Sequence, residues 1–272
     1  MPITPHIPPD ERGYEFSRGL PEEAVHANAR WWSANAREYL AEHGTILGDT
    51  DFLWCPEGVR EADIHFLGDL RGKRVLEIGA GAAQCSRYLA MQDVDITASD
   101  IAEGMLRAAR DLNRRYKVSF PLDLADARAL PYADSSFDVV FTSFGALPFV
   151  ADLASVHREV HRVLRPSGVW AYSAMHPMRW MFPDDPTWNG MHVVLPYFDT
   201  DPYLEKTGKT LEYAEFHHTF TDHINSLVNT GFVIDKVLEP RWPEGREVVW
   251  GGWGPERSSY IPGTLMIRAL RR

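Results

Sequence analysis

Three acidic residues stand at the ends of short apolar runs, where a bound ligand would meet them. Glu77 lies in VLEIGAG, Asp100 ends VDITASD, and Asp126 follows LDLA. Gly79 and Gly81, just after Glu77, allow a sharp turn and let a ligand approach the main chain. A carboxylate at Glu77 would attract a cationic amine, Asp100 would accept ribose hydroxyls, and Asp126 would accept the exocyclic amine of adenine. This spacing predicts a nucleoside site that favours a positively charged ligand.

The glycine turn and Asp100 also have other interpretations. The glycine fingerprint of dinucleotide-binding proteins needs a third glycine where Gln84 stands, and Glu77 would repel a diphosphate. Asp100 comes 21 residues after Gly79, a spacing that suits a carboxylate on ribose hydroxyls. The alternative for Asp100 is a cap for the helix predicted at 102–115. These residues therefore favour an adenosine ligand over NAD.

From residue 73 onward, apolar runs alternate with helical patterns. Strands are predicted at 73–78, 94–99, 118–124, 137–143, 169–175, 232–238 and 264–270, and helices at 82–91, 102–115, 152–164 and 219–230. This alternation predicts an α/β fold, a doubly wound, mostly parallel, seven-stranded sheet with helices on both faces. In such sheets the ligand lies beyond the carboxyl ends of the strands, which is where the three acidic residues come.

The composition is that of an ordinary globular protein, since 44% of the 272 residues are hydrophobic and 24% are charged. The net charge is −10, and 13 acidic residues fall within residues 1–70. No basic surface is indicated, so neither nucleic acid nor an anionic membrane is expected as a partner. The sequence has two cysteines, no signal-peptide pattern at its N-terminus and no long apolar run, which together predict a cytoplasmic protein.

Four motifs in order resemble those of a known family. VLEIGAGAAQ, ASDIAEGML, ADARALPYADSSFDVV and LRPSGVW are similar, in order and spacing, to the motifs of class I S-adenosylmethionine-dependent methyltransferases. The resemblance covers roughly residues 70–175. It implies the Rossmann-like methyltransferase fold, S-adenosylmethionine as cofactor with S-adenosylhomocysteine as product, and methyl transfer to a small-molecule acceptor.

The resemblance implies a cofactor site built from Glu77, Gly79, Ala80, Gly81, Gln84, Asp100, Ile101, Met105, Asp126, Ala127, Ser143 and Phe144. The residues of the glycine turn would hold the methionine moiety, and those after the fourth strand would border its transferable methyl. Asp100 would bind both ribose hydroxyls, and Asp126 would accept the adenine amine. The sequence departs from the family at Ala83, where a third glycine is common. Because alanine is small, we expect tighter packing there and retained binding.

The segments outside these motifs are expected to hold the acceptor. Residues 1–70 are predicted to form an N-terminal arm and a helical lid, with helices at 21–43 and 58–67. Residues 71–272 are predicted to form the S-adenosylmethionine-binding catalytic domain. Within it, 176–217, an insert after the fifth strand, and 240–262 are the expected acceptor-specificity segments. Residues 1–70 and the two specificity segments are rich in aromatic residues. These aromatic residues either close a partly aromatic acceptor pocket or form the core of an added lid.

Histidines and cysteines supply the remaining candidates for chemistry. His176 follows the fifth strand directly and is the candidate general base, with a purely structural role as the alternative. His157 and His161 have a metal-ligand spacing on a helix. They are expected to be exposed or flanking, and no metal is predicted. Cys85 is expected to be a small buried filler.

Two other classes of function compete with methyl transfer. A nicotinamide-dependent oxidoreductase on a similar sheet would use Asp100 and the glycine turn but would leave Asp126 without a role. A cofactor-binding scaffold or sensor without turnover is the second, because methyl transfer needs few dedicated catalytic side chains. The acceptor, the methylated atom (O, N or C) and the oligomeric state are left open by the sequence.

Overall fold

The structure is a computed structural model that describes residues 20–272. Its helices are α1 (Leu20–Leu47), α2 (Glu61–Ile64), α3 (Gln84–Ala90), α4 (Glu103–Tyr116), α5 (Leu153–Val163) and α6 (Phe220–Asn229). Its strands are β1 (Arg74–Ile78), β2 (Asp95–Asp100), β3 (Leu122–Leu124), β4 (Phe137–Ser143), β5 (Leu164–Met175), β6 (Tyr203–Thr207), β7 (Thr210–Glu215), β8 (Phe232–Leu238) and β9 (Thr264–Arg271). Residues 1–19, which make up almost all of the expected N-terminal arm, lie outside the described residues.

Seven strands form one sheet in the order β3-β2-β1-β4-β5-β9-β8. Strands β1 to β5 run parallel to one another, whereas β9 is antiparallel to both β5 and β8. The predicted doubly wound, mostly parallel, seven-stranded sheet is confirmed. Because the chain leaves β1 towards β2 and later returns on its other side as β4, the order reverses at β1. The crevice at such a switch point is where these folds bind ligands.

The register of the sheet brings the predicted strand ends together. Ile78 of β1 is paired with Ser99 of β2, and Asp100 is paired with Leu124 of β3. Since these strands are parallel, the residues that follow them emerge at the same edge of the sheet. The three acidic residues singled out in the sequence therefore belong to one edge.

Both faces of the sheet are covered, as two neighbouring residues of β1 show. Leu76 packs in a buried cluster with residues of α5 and α6. Val75 points to the other face and packs with α3 and with the side chains of Phe52 and Phe66. Side chains of residues 52–67 therefore contribute to the core of the sheet, although the sequence analysis assigned them to the lid segment.

The helix predicted at 58–67 is reduced to the four residues of α2. The Glu61 carboxylate accepts hydrogen bonds from the Phe66 and Leu67 amides and from the Trp54 indole, at 2.9–3.0 Å. This buried carboxylate organises a tight turn after α2, and a longer helix would place those amides elsewhere.

Helix α1 packs against α4 and against β7. Its contact with α4 is close, because Ser33 Oγ accepts the Gly104 amide at 3.2 Å. A Cβ on residue 104 would lie 2.0 Å from the Ser33 carbonyl oxygen, so the approach requires glycine. The helix also continues past Gly44, the expected stop, and Gly48 with φ +69° follows its end.

Strands β6 and β7 form a separate hairpin inside the insert, which was not predicted from the sequence. Strand β3 is shorter than predicted and begins at Leu122. Pro121, just before it, has no N–H to donate to a neighbouring strand. Among residues 20–272, no helix combines the length and the apolar character needed to cross a bilayer.

Candidate active site

A cavity of about 360 Å³ opens at the carboxyl edge of β1, β2 and β4. All twelve residues predicted to bind the cofactor line it: Glu77, Gly79, Ala80, Gly81, Gln84, Asp100, Ile101, Met105, Asp126, Ala127, Ser143 and Phe144. We call this part of the wall the strand side. A second part, the hairpin side, contains residues of α1, Glu205, Tyr213 and Glu215 of the hairpin, Arg179, Trp250 and Trp253.

The glycine turn after β1 has room for a ligand above its main chain. Gly79 and Gly81 have φ angles of +61° and +55°, in the left-handed region that favours glycine. A Cβ at Gly79 would lie 2.6 Å from the Ala146 amide nitrogen, whereas a Cβ at Gly81 would meet nothing within 4 Å. Gly79 therefore packs against the loop after β4, and Gly81 leaves an open cradle. Ala83 also has a positive φ of +57°, which explains why glycine suits this position in the family.

Asp100 links the glycine turn to the start of α4. Its Oδ2 accepts the Gly81 amide and its Oδ1 accepts the Ala102 amide, each at 2.7 Å. Burial raises the pKa of this carboxyl, and the amide hydrogen bonds act in the opposite direction. The residue at the N-cap position of α4 is Ala102, so Asp100 supports the helix from just before its cap. Each carboxylate oxygen keeps a second lone pair, which suits two vicinal hydroxyls.

Glu77 is almost completely buried and anchors α3. Its Oε2 accepts the Ser86 amide at 3.0 Å and also the Ser86 hydroxyl. Burial raises the pKa of Glu77 to about 7, with the Ser86 hydrogen bonds opposing the shift and the charge of Asp100 adding to it. Within the described part of the chain, Oε1 of Glu77 makes no hydrogen bond. A cationic group in the cavity would therefore find a free carboxylate oxygen and favour its ionised form.

Asp126 lies at the cavity, but its carboxylate is already engaged. Arg128 donates to it from its guanidinium, with Nη2 to Oδ2 at 2.7 Å, and from its backbone amide at 2.8 Å. The same guanidinium reaches Glu22 of α1 at 2.9 Å. Asp126 therefore serves as one half of an ion pair that ties α1 to the end of β3. Its contact with an adenine amine stays a prediction, and the pairing of Asp126 with Arg128 was not predicted from the sequence.

His176 is not brought to this cavity. It lines a separate, much smaller cavity together with His217, His218 and His223. Both ring nitrogens are engaged, since Nε2 lies 2.9 Å from Glu239 Oε1 and Nδ1 accepts the Met178 amide at 3.2 Å. The preceding residue, Met175, does line the main cavity. Met175 also lines the smaller cavity, whereas His176 lines that cavity and not the main one, and its role as a general base stays a prediction.

His157 also departs from expectation, because it is fully buried where an exposed or flanking position was predicted. Helix α5 packs against both β5 and α6, so the ring packs on Tyr172 and its Nδ1 meets Ser226 Oγ at 2.9 Å. The described residues hold no group of three or more side chains arranged to bind a metal. Cys85 is buried as expected, and burial raises the pKa of its thiol.

The hairpin side of the cavity is largely aromatic. Trp31 packs on Trp32 and on Tyr213 with ring centroids 4.9 and 4.8 Å apart, and Phe149 completes the group. Of the aromatic residues predicted for the acceptor pocket, those that line the cavity are Trp31, Trp32, Trp54, Trp250 and Trp253. Those that do not are Trp180, Phe182, Trp188, Tyr197, Phe198 and Trp242.

Three charged groups of the hairpin side were missed in the sequence. Glu205 and Glu215 lie on the hairpin, where a repeated Tyr-x-Glu pattern was the available signal. Arg179 is buried with its guanidinium 4.5 Å from the centre of the Trp253 ring, and it forms an ion pair with Asp184. Burial lowers the pKa of Arg179 to about 9.

Residues 76–172 match the family model described as a methyltransferase domain. Demethylmenaquinone methyltransferase of Corynebacterium kroppenstedtii is 30% identical over 153 residues, which are 56% of this chain and 62% of that protein. Malonyl-(acyl-carrier protein) O-methyltransferase of Pseudescherichia vulneris is 33% identical over 109 residues, covering 40% of this chain and 41% of that protein. The chain thus spans less than two thirds of the length of either relative.

A solved structure, an S-adenosylmethionine-dependent methyltransferase from Mesorhizobium loti, is 25% identical with a TM-score of 0.61 and covers 77% of this chain and 96% of that one. The fold, the glycine turn followed by Asp100, and the matched domain agree with the resemblance found in the sequence. The matched residues 76–172 thus form a domain of the class I S-adenosylmethionine-dependent methyltransferase type, and the cofactor of that class is S-adenosylmethionine.

Proposed function

We propose that this protein transfers a methyl group from S-adenosylmethionine to a small-molecule acceptor that binds on the hairpin side of the cavity. The observation that supports this most is the Asp100 carboxylate, which two backbone amides hold at the tip of β2 beside the open cradle of Gly81. A carboxylate held in this way is ready to accept two ribose hydroxyls without further reorganisation.

The residues of the strand side fit the parts of the cofactor. The free Oε1 of Glu77 would hold the amino group of its methionine moiety, and the main chain at Gly79 and Gly81 would follow that moiety. Ile101 and Met105 would lie against the adenine. S-adenosylmethionine supplies an electrophilic methyl group on a sulfonium when it is bound. The protein has to align the acceptor and exclude water, and alignment alone can lower a barrier by about 7–11 kcal/mol.

The acceptor is chosen, on this proposal, by parts of the chain outside the matched domain. The two relatives are named for different acceptors, demethylmenaquinone and malonyl-(acyl-carrier protein). The family model ends at residue 172, before the hairpin, and begins after α1. Since α1 and the hairpin form most of the hairpin side, we infer that they determine acceptor specificity.

Calorimetric titration of the full chain with S-adenosylhomocysteine and with NAD tests the cofactor assignment. We expect S-adenosylhomocysteine to bind and NAD not to bind, because Glu77 would repel the diphosphate. Binding of NAD in place of S-adenosylhomocysteine would show an oxidoreductase site instead. Release of S-adenosylhomocysteine from S-adenosylmethionine in the presence of an acceptor panel tests turnover, and binding without turnover over the panel would support a scaffold or sensor.

A further inference from the structure

One face of the β6–β7 hairpin presents two carboxylates to the cavity. In the antiparallel register Tyr203 is opposite Glu215 and Glu205 is opposite Tyr213, so the four side chains share a face. The Tyr203 hydroxyl donates to Glu205 at 3.1 Å, and the Tyr213 hydroxyl donates to Glu215. Glu205, Tyr213 and Glu215 all line the cavity. The tyrosines therefore fix the direction of both carboxylates.

The two carboxylates lie in surroundings that a cation would stabilise. Burial raises the pKa of Glu215, the Tyr213 hydroxyl and the charge of Arg179 oppose this shift, and the charge of Glu205 adds to it. Arg179 is the arginine of this part of the wall, and it divides its charge between the ion pair with Asp184 and the nearby Glu215. Two half-buried carboxylates of like charge repel each other, and a cation bound between them removes that cost.

The other charged groups around the cavity do not make the net charge of its wall positive. The other acidic residues of the wall are Glu38, Glu42, Asp51, Glu77, Asp100 and Asp126. Asp51 is paired with Arg60 and Asp126 with Arg128. Burial lowers the pKa of His43, which favours its neutral form. The described wall thus carries an excess of negative charge.

The aromatic residues beside the carboxylates add a second, independent preference. Trp31 and Tyr213 pack 4.8 Å apart at an angle of 48°, and Phe149 lies against Tyr213 at 5.9 Å. The faces of such rings carry partial negative charge, so they attract cations and planar groups and disfavour anions. Charge and ring chemistry at the hairpin side therefore agree.

We propose that the methyl acceptor is a planar or aromatic amine, that Glu205 and Glu215 bind its amino group, and that Glu215 is the catalytic residue that takes up its proton. This inference rests on the proposed methyl transfer and adds the acceptor class and the methylated atom. The amine binds as its cation, so the Glu215 carboxylate first takes up one proton from the nitrogen and frees its lone pair. That lone pair forms the new bond to the methyl carbon as the carbon–sulfur bond breaks. The electron pair of the broken bond goes to sulfur, which becomes a neutral thioether, and the methylated amine leaves as a cation.

Three probes with the same ring system and different end groups test the acceptor class by binding. Tryptamine carries an amine, tryptophol a hydroxyl, and indole-3-acetate a carboxylate. In calorimetric titrations of the S-adenosylhomocysteine complex, we expect tryptamine to bind about ten- to a hundredfold more tightly than tryptophol, the factor for one charge-assisted hydrogen bond. Indole-3-acetate is expected to bind most weakly.

Isosteric variants test the two carboxylates. Glu205→Gln and Glu215→Gln should each reduce the preference for tryptamine over tryptophol by about tenfold and leave S-adenosylhomocysteine affinity unchanged. Glu212→Gln, on the same strand but outside the cavity wall, is the matched control and should keep the preference. With a turned-over amine, Glu215→Gln should lower kcat more than it raises KM, whereas Glu205→Gln should mainly raise KM.

Equal binding of the three probes, tighter binding of indole-3-acetate, or no binding of any probe to a protein that still binds S-adenosylhomocysteine would overturn the inference. An unchanged preference in both glutamine variants would do the same. Failure of wild-type protein to bind S-adenosylhomocysteine would instead refute the proposed function, and the inference with it.

Discussion

The side-chain amide of Asn28 pairs with both backbone groups of Ala214, although 186 residues separate them. Its Nδ2 donates to the Ala214 carbonyl oxygen and its Oδ1 accepts the Ala214 amide, each at 2.9 Å. Asn28 lies on α1 and Ala214 on β7, and both residues are buried. This pair therefore joins the helix to the hairpin where the two meet at the cavity wall.

Asn28→Ala should loosen the hairpin. The change leaves a buried N–H and a buried carbonyl without partners, so the free energy of unfolding should fall by about 2–3 kcal/mol. Amide hydrogen exchange across residues 203–215 should speed up more than exchange in β1 or β4. Asn35→Ala, which removes a bond only to the Trp31 carbonyl of its own helix, is the control. If exchange across residues 203–215 is equally fast in the two variants, the proposed link between the helix and the hairpin is contradicted.

Asp100→Ala should reduce the affinity for S-adenosylhomocysteine by about 1.5–3 kcal/mol, because charge-assisted hydrogen bonds to the ligand are lost. Calorimetric titration measures this change. Asp111→Ala, at an exposed position of α4 paired with Arg114, should bind like the wild type. If a folded Asp100→Ala variant keeps its affinity, the cofactor site is misplaced.

Gly79→Ala should cost more than Gly72→Ala, although both glycines have a positive φ. At Gly72 nothing lies within 4 Å of an added Cβ, so only the backbone is strained, by about 1–2 kcal/mol. At Gly79 the added Cβ would also lie 2.6 Å from the Ala146 amide nitrogen and push the loop after β4 away from the turn. Denaturant unfolding and S-adenosylhomocysteine titration should show both losses for Gly79→Ala. Equal stability of the two variants would rule out a role for this close packing.

His176→Ala should leave the affinity for S-adenosylhomocysteine unchanged. The side chain does not line the main cavity, and its loss removes the bond to the Met178 amide, which should lower stability by about 1 kcal/mol. A large loss of affinity in the folded variant would place His176 in the cofactor site after all.

Stability should fall as the pH drops below about 6.5. Burial, with a smaller contribution from the charge of His218, lowers the pKa of His157 to about 3. The unfolded chain takes up this proton near pH 6.5 and the folded chain does not, so stability is fully present above 6.5 and is lost between 6.5 and about 3, by up to about 1.4 kcal/mol per pH unit. Urea unfolding at several pH values measures the slope. His157→Phe should flatten it and the exposed His192→Gln should not; equal slopes in all three proteins would exclude His157 as a source.

The strand side of the cavity was predictable because its information is local. The glycine turn, Asp100 and Asp126 each lie at a strand end or within a few residues of one. The ends of neighbouring parallel strands lie at the same edge of the sheet. Periodicity and turn chemistry suffice for such a prediction, and all twelve predicted cofactor residues line the cavity. The same local patterns placed most strands within a few residues of their observed bounds.

The hairpin side depended on contacts between distant parts of the chain. Trp31 meets Tyr213, Arg179 meets Trp253, and Arg128 reaches Glu22 of α1. No local period encodes these encounters, since they are decided by how α1 and the insert pack together. The strand side could therefore be predicted from neighbouring residues, whereas the hairpin side exists only in the folded chain.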